Sequence, residues 1–87
     1  MHERALFEDL MRRIAELGAR EGGRRIVAVK VRLGRLSHFT PEHFREHFED
    51  ASRGTLAEGA RVDAVMLEDL ADPHATSVVL ESVEVEA

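Results

Sequence analysis

The sequence predicts a two-layer α/β fold of the α+β kind: two helices packed on one face of a small, three-stranded sheet, in the order α-β-α-β-β. Three observations predict it. Apolar residues recur at helical spacing in two segments, alternate with polar ones in three others, and turn residues separate the segments, glycines at the first three junctions and Asp72-Pro73 at the last. At 87 residues the chain reads as a single domain, 1–87. A domain of this size buries only about 60% of its unfolded surface, so its core is marginal.

Leu6, Phe7, Leu10, Met11, Ile14 and Leu17 fall on one helical face, with Arg12, Arg13 and Glu16 on the other. Gly18, Gly22 and Gly23 end this helix or mark the loop beyond it. From Ile26 to Leu33 the chain reads as a strand, with Val27, Val29, Val31 and Leu33 on one face and Lys30 and Arg32 on the other. The second helix begins at Thr40-Pro41-Glu42: a hydroxyl to cap free N–H groups, a ring suited to the first helical position, and a carboxylate at the positive dipole end. Phe39 and Phe44 stand at the spacing of a hydrophobic staple. Phe44, Phe48 and Ala51 continue the apolar stripe, and Gly54 stops it. Arg61–Glu68 alternates as a strand, and Ser77–Glu86 reads as the last one.

The chain has no cysteine, which excludes a disulfide framework and any thiolate metal site. A net charge of -5 argues against nucleic acid as a partner. The charge is uneven: residues 1–45 hold ten Lys/Arg against six Asp/Glu, and residues 46–87 hold two against eleven. Two differently charged surfaces of one domain account for this, and a docking face for a charged protein is the alternative. No apolar run approaches the roughly 18 residues of a spanning helix. With no signal-peptide layout either, a cytoplasmic, membrane-free protein is expected.

Five histidines carry the candidate chemistry. His43, Glu46 and His47 spell HFREH, matching the H-x-x-E-H of inverted zinc peptidases. Both imidazoles share a helical face, but a peptidase also needs a third ligand and a cleft. Solvated flanks of the helix explain them better, with an adventitious surface metal site as the second reading. His38 and His74 stand in loops, where an exposed polar residue is the plain explanation. His2 differs, because its neighbours can supply several ligands at once. The Met1 α-amine, with an ordinary pKa of about 7.7–8, gives up its proton readily to a metal. Once the His2 imidazole is bound, the backbone amides of His2 and Glu3 can lose theirs too. Four nitrogens in a plane suit Ni(II) or Cu(II) and suit zinc poorly. Binding that releases protons should tighten as pH rises. An incidental first-turn histidine remains the alternative on these residues alone.

Taken in order, MHE at the start of an amphipathic helix, IVAVKVRLGRLSHFTPEHF, RGTLAEGARVDAV and LESVEVE resemble the HypA family, nickel metallochaperones of NiFe-hydrogenase maturation. The resemblance implies two helices on a three-stranded sheet, as derived above. It also implies a nickel site of the Met1 amine, the His2 amide and imidazole and the Glu3 amide, with the Glu3 carboxylate near the partner surface. A HypB-like GTPase is the implied partner and the hydrogenase large subunit the implied client, with urease as the client of some members. Such a protein is not an enzyme; it exchanges ligands.

One departure is large. Between its second and third strands the family carries a zinc domain with two C-x-x-C motifs, whereas here residues 69–76 form a short cysteine-free loop. No zinc is therefore expected, and a turn this short could close the flanking strands as a hairpin. His74, the one metal-binding imidazole in the loop, could add a nickel ligand if the loop folds toward the N-terminus. A HypA-derived adaptor that docks a maturation or hydrogenase component without delivering metal is the alternative function. Homodimerisation through an exposed sheet edge is also open to a chain of this kind.

Overall fold

The computed structural model describes residues 2–87, with the side chains of residues 2–4 and 6 outside the described set. Five elements follow in the expected order: α1 (His2–Arg20), β1 (Ile26–Leu33), α2 (Pro41–Ser52), β2 (Arg61–Met66) and β3 (Val78–Val85). They form a three-stranded mixed sheet with one face covered by both helices. Phe7, Leu10 and Ile14 of α1 and Phe44 and Phe48 of α2 meet Ile26, Val29, Val31 and Leu33 of β1 in a single core.

The sheet order is β2-β1-β3, with β2 parallel and β3 antiparallel to β1. The expected hairpin between the last two strands is therefore wrong. β1 lies between them, and their connection passes across its end. β1 carries the densest apolar run, and a central position buries such a strand most fully. The β1-α2-β2 crossover puts β2 on one side, so β3 takes the remaining edge.

Two bulges complicate the alternation. Ile26 pairs with Val85 and Ala28 with Glu84, leaving Val27 as the extra residue; Lys30 pairs with Ser82 and Val31 with Leu80, leaving Glu81 as the other. Val27 consequently does not share the buried face of Val29, Val31 and Leu33 but is 38% exposed. The Glu81 bulge turns its carboxylate onto Arg32, which donates to it from Nε at 3.1 Å and Nη2 at 3.2 Å.

α1 runs through Gly18, which is buried, and ends in a turn that satisfies its last carbonyls. Gly23 N–H donates to the Gly18 carbonyl and Gly22 N–H to that of Ala19, with Gly22 at φ +79°. This pattern needs a residue free to adopt the left-handed region. α2 starts as read: the Thr40 hydroxyl accepts from His43 N–H at 3.1 Å, and Phe39 meets Phe44 edge to face with centroids 5.7 Å apart. Its stripe ends differently, with Ser52 buried and Ala51 exposed. Residues 44, 48 and 52 follow the i, i+4 row along the helix. Ser52 tolerates burial because its hydroxyl donates to the Glu49 carbonyl.

Candidate metal centre

The order of elements decides where the histidines lie. α1 leads into β1 through a short turn, so it runs back along the sheet and begins where β1 ends. Phe7 confirms this: its ring lies 6.1 Å from Phe39 and 5.2 Å from Phe44, at the entrance to α2. The Leu33 end of β1 thus gathers the first turns of α1, the 34–40 loop, the start of α2 and the β2–β3 connection. All five histidines of the chain belong to these four segments.

Met1 lies outside the described residues, as do the side chains of His2 and Glu3. His2 and Glu3 form the first turn of α1. His38 is exposed and adopts φ +69°, a left-handed conformation that histidine enters more readily than most residues. It separates two buried neighbours, Ser37 and Phe39. The kink turns the chain so that Phe39 enters the core just ahead of the Thr40 cap.

His43 and His47 are brought together. Their Nε2 atoms stand 2.8 Å apart and their rings meet edge to face at 4.5 Å. His43 packs on Phe39 at 5.5 Å, and His47 on Phe7 at 6.0 Å. The sequence placed both on one helical face, but it gave no hint of the aromatic bed. Phe39 adjoins the start of α2, but Phe7 is distant from both along the chain, and only the fold brings it to them. Glu46 is exposed. Among the described residues no group of three or more His, Asp or Glu side chains could enclose a metal.

His74 occupies a different cleft, lined also by Asp9, Leu10, Arg13, Ser77, Val78 and Val79. Its N–H donates to the Asp72 carboxylate at 2.8 Å, which fixes the turn. Asp9 is engaged by Arg12 and Arg13 on its own helix. At 1.5 Å per residue, Asp9 lies roughly 10 Å along the α1 axis from His2. The connection is held down at its feet. Leu67 N–H donates to the Leu33 carbonyl, Gly34 N–H to that of Ser77 and Leu36 N–H to that of Ala75. A Cβ on Gly34 would stand 2.3 Å from the carbonyl oxygens of both His74 and Ala75. Only glycine admits so close an approach.

Residues 1–72 match the family model described as hydrogenase/urease nickel incorporation, metallochaperone, HypA. Three similar proteins carry the name hydrogenase maturation factor HypA. The one from Methylocella silvestris is 38% identical over 63 residues, which is 72% of this chain and 56% of that protein. For Archaeoglobus fulgidus the identity is 33% over 72% of this chain and 57% of the relative, and for Pyrococcus furiosus 39% over 71% and 45%. The chain spans about half the length of the curated relatives it matches. The family match ends inside the β2–β3 connection, and β3 lies beyond it. With the match covering most of its length, and with the fold expected from that resemblance, the chain belongs to the HypA family.

Proposed function

We propose that this chain is a nickel-binding, metallochaperone-like protein for NiFe-hydrogenase metallocentre assembly, holding Ni(II) as cargo through Met1, His2 and Glu3. The donors are the Met1 amine, the His2 amide and imidazole, and the Glu3 amide. The observation that carries the reading is the start of α1 at His2. In a helix that starts there, N–H groups of the first turn have no carbonyl one turn earlier to bond. Ni(II) can displace their protons without breaking a backbone hydrogen bond, whereas the same chemistry inside the helix would disrupt its ladder. Planar four-nitrogen coordination favours Ni(II) over zinc.

The protein's work would be ligand exchange rather than catalysis. A planar site leaves two faces open, so incoming ligands can replace the nitrogens one at a time. A HypB-like GTPase and the hydrogenase large subunit are the proposed exchange partner and client. His74 is the candidate for an additional ligand, reached through movement of the β2–β3 connection.

The test is a nickel titration of the chain with its native N-terminus, beside His2→Ala, His74→Ala and a form with one added N-terminal residue. Visible absorption of square-planar nickel is followed against pH. One equivalent bound with a planar band, absent from His2→Ala and from the extended form, supports the terminal site. A planar band that survives in either rejects it. An unchanged spectrum in His74→Ala removes His74 from the ligand set. A chain that gives no planar band yet binds a maturation or hydrogenase component fits the adaptor instead. Such a protein would use its surface without carrying metal.

A further inference from the structure

The His43–His47 pair is not explained by the terminal nickel site, and its geometry is unusual for a half-buried and an exposed side chain. We propose that the two Nε2 atoms form a second divalent-metal site on the folded body of the protein, of the Ni(II) and Cu(II) class.

Separation is the first argument. Two unprotonated imidazole nitrogens 2.8 Å apart repel, so a positive centre must lie between or beside them. In the metal-free chain a proton on one ring serves, donated to the other as a hydrogen bond. A metal ion serves as well. Nitrogens about 2.0 Å from a shared metal stand about 2.8 Å apart at a right angle, and about 3.3 Å apart at the tetrahedral angle. The pair therefore has the bite of adjacent positions on a square-planar or octahedral ion, which Ni(II) and Cu(II) prefer.

Preorganisation is the second. His43 rests against Phe39, and His47 against both Phe7 and Phe39, with the two rings edge to face on successive turns of α2. Little rotamer freedom remains to be lost when a metal arrives. The local charge is also favourable. Within Pro41–Ser52, Glu42, Glu46, Glu49 and Asp50 face a single cation, Arg45, whose Nε donates to the Val62 carbonyl on β2. Two imidazole nitrogens hold an ion less tightly than four backbone and side-chain nitrogens would.

Nickel(II) chloride titrated into the full-length His2→Ala chain tests this. Two-dimensional NMR of backbone amides and imidazole nitrogens follows each residue as the paramagnetic ion binds. One equivalent should broaden His43, His47, Phe39 and Phe7 first. His47→Gln and His43→Gln, each added to His2→Ala, should weaken binding about tenfold or more as the chelate becomes a single ligand. His47 is exposed, so His47→Gln carries the test if His43→Gln melts early. No binding to His2→Ala, broadening centred on His38 or His74, or full binding in the glutamine variants would overturn the proposal. Because the terminal site is already removed, none of these results bears on the planar nickel band.

Discussion

At the Leu33 end of β1 the chain packs tightly: Gly34 lies beneath the carbonyls of His74 and Ala75, Phe39 and Phe44 close edge to face, and the helix starting there is capped. At the Ile26 end it simply turns. Gly22, Gly23, Gly54 and Gly59 all adopt positive φ there, and a Cβ at any of them would meet nothing within 4 Å. Backbone bonds do the closing, from Ile26 N–H to the Leu56 carbonyl and from Glu86 N–H to that of Arg25. Arg25 adds a side-chain bond to the Glu58 carbonyl. The first end holds its side chains in place, whereas the four glycine turns of the second reverse the chain and ask little of their neighbours. Every histidine belongs to the first, and a group positioned within a few tenths of an ångström needs such a frame.

Substitutions can break this contrast. Phe44→Ala removes the ring that joins α1, the 39–40 loop and the sheet, and should cost about 3–5 kcal/mol in urea unfolding. Gly34→Ala forces a Cβ against two backbone carbonyls that cannot rotate away. It should cost about 3 kcal/mol and loosen the connection, read as faster hydrogen exchange at Leu36 and Ser77. Gly59→Ala, at the other end, carries only the left-handed penalty of about 1–2 kcal/mol. If Gly59→Ala proved the more damaging of the two glycine changes, the contrast between the ends would fail.

The smallest effect lies on the open face of the sheet, away from both ends. Hydrogen bonding from Arg32 holds the Glu81 carboxyl below the usual carboxylate range, with Lys30 contributing charge at 3.9 Å. A carboxyl lowered in the folded chain stabilises it above the ordinary glutamate value of about 4.3, and that help disappears as pH falls through the lowered value. The melting temperature of Glu81→Gln should therefore fall less steeply than the parent's between pH 6 and 3. Both groups are solvent-exposed, so the difference should be slight.

Local features of the fold were legible in the sequence because they depend on neighbours along the chain. Thr40, Pro41 and the Phe39–Phe44 staple specify the start of α2 without reference to anything else. Strand order was not legible. Nothing in β2 or β3 alone says that β1 will separate them, and the short connection suggested a hairpin. The bulges at Val27 and Glu81 exist only as mismatches between paired strands, and no single strand displays them. Ser52 displaced Ala51 because it continues the i, i+4 row of Phe44 and Phe48, and a carbonyl within its own helix satisfied its hydroxyl. Much the same holds for the candidate metal centre. The i, i+4 spacing put His43 and His47 on one face, but the distance between their nitrogens depends on rings brought in from α1 and the 34–40 loop.

The β2–β3 connection is fastened at two places and exposed through most of the stretch between them. Leu67 is tied to Leu33 at one foot, and Ala75 and Ser77 to Leu36 and Gly34 at the other. From Glu68 to Ala71 the chain lies exposed. A sheet closed in this way registers where the connection leaves and returns, not how far it travels in between. Each doubling of a flexible loop costs only about 0.6 kcal/mol. The three strands could therefore keep their pairing around an excursion many times longer, provided that it came back over Gly34. In mechanical terms the connection is a socket, with its contacts on the body and its cargo of residues free to vary.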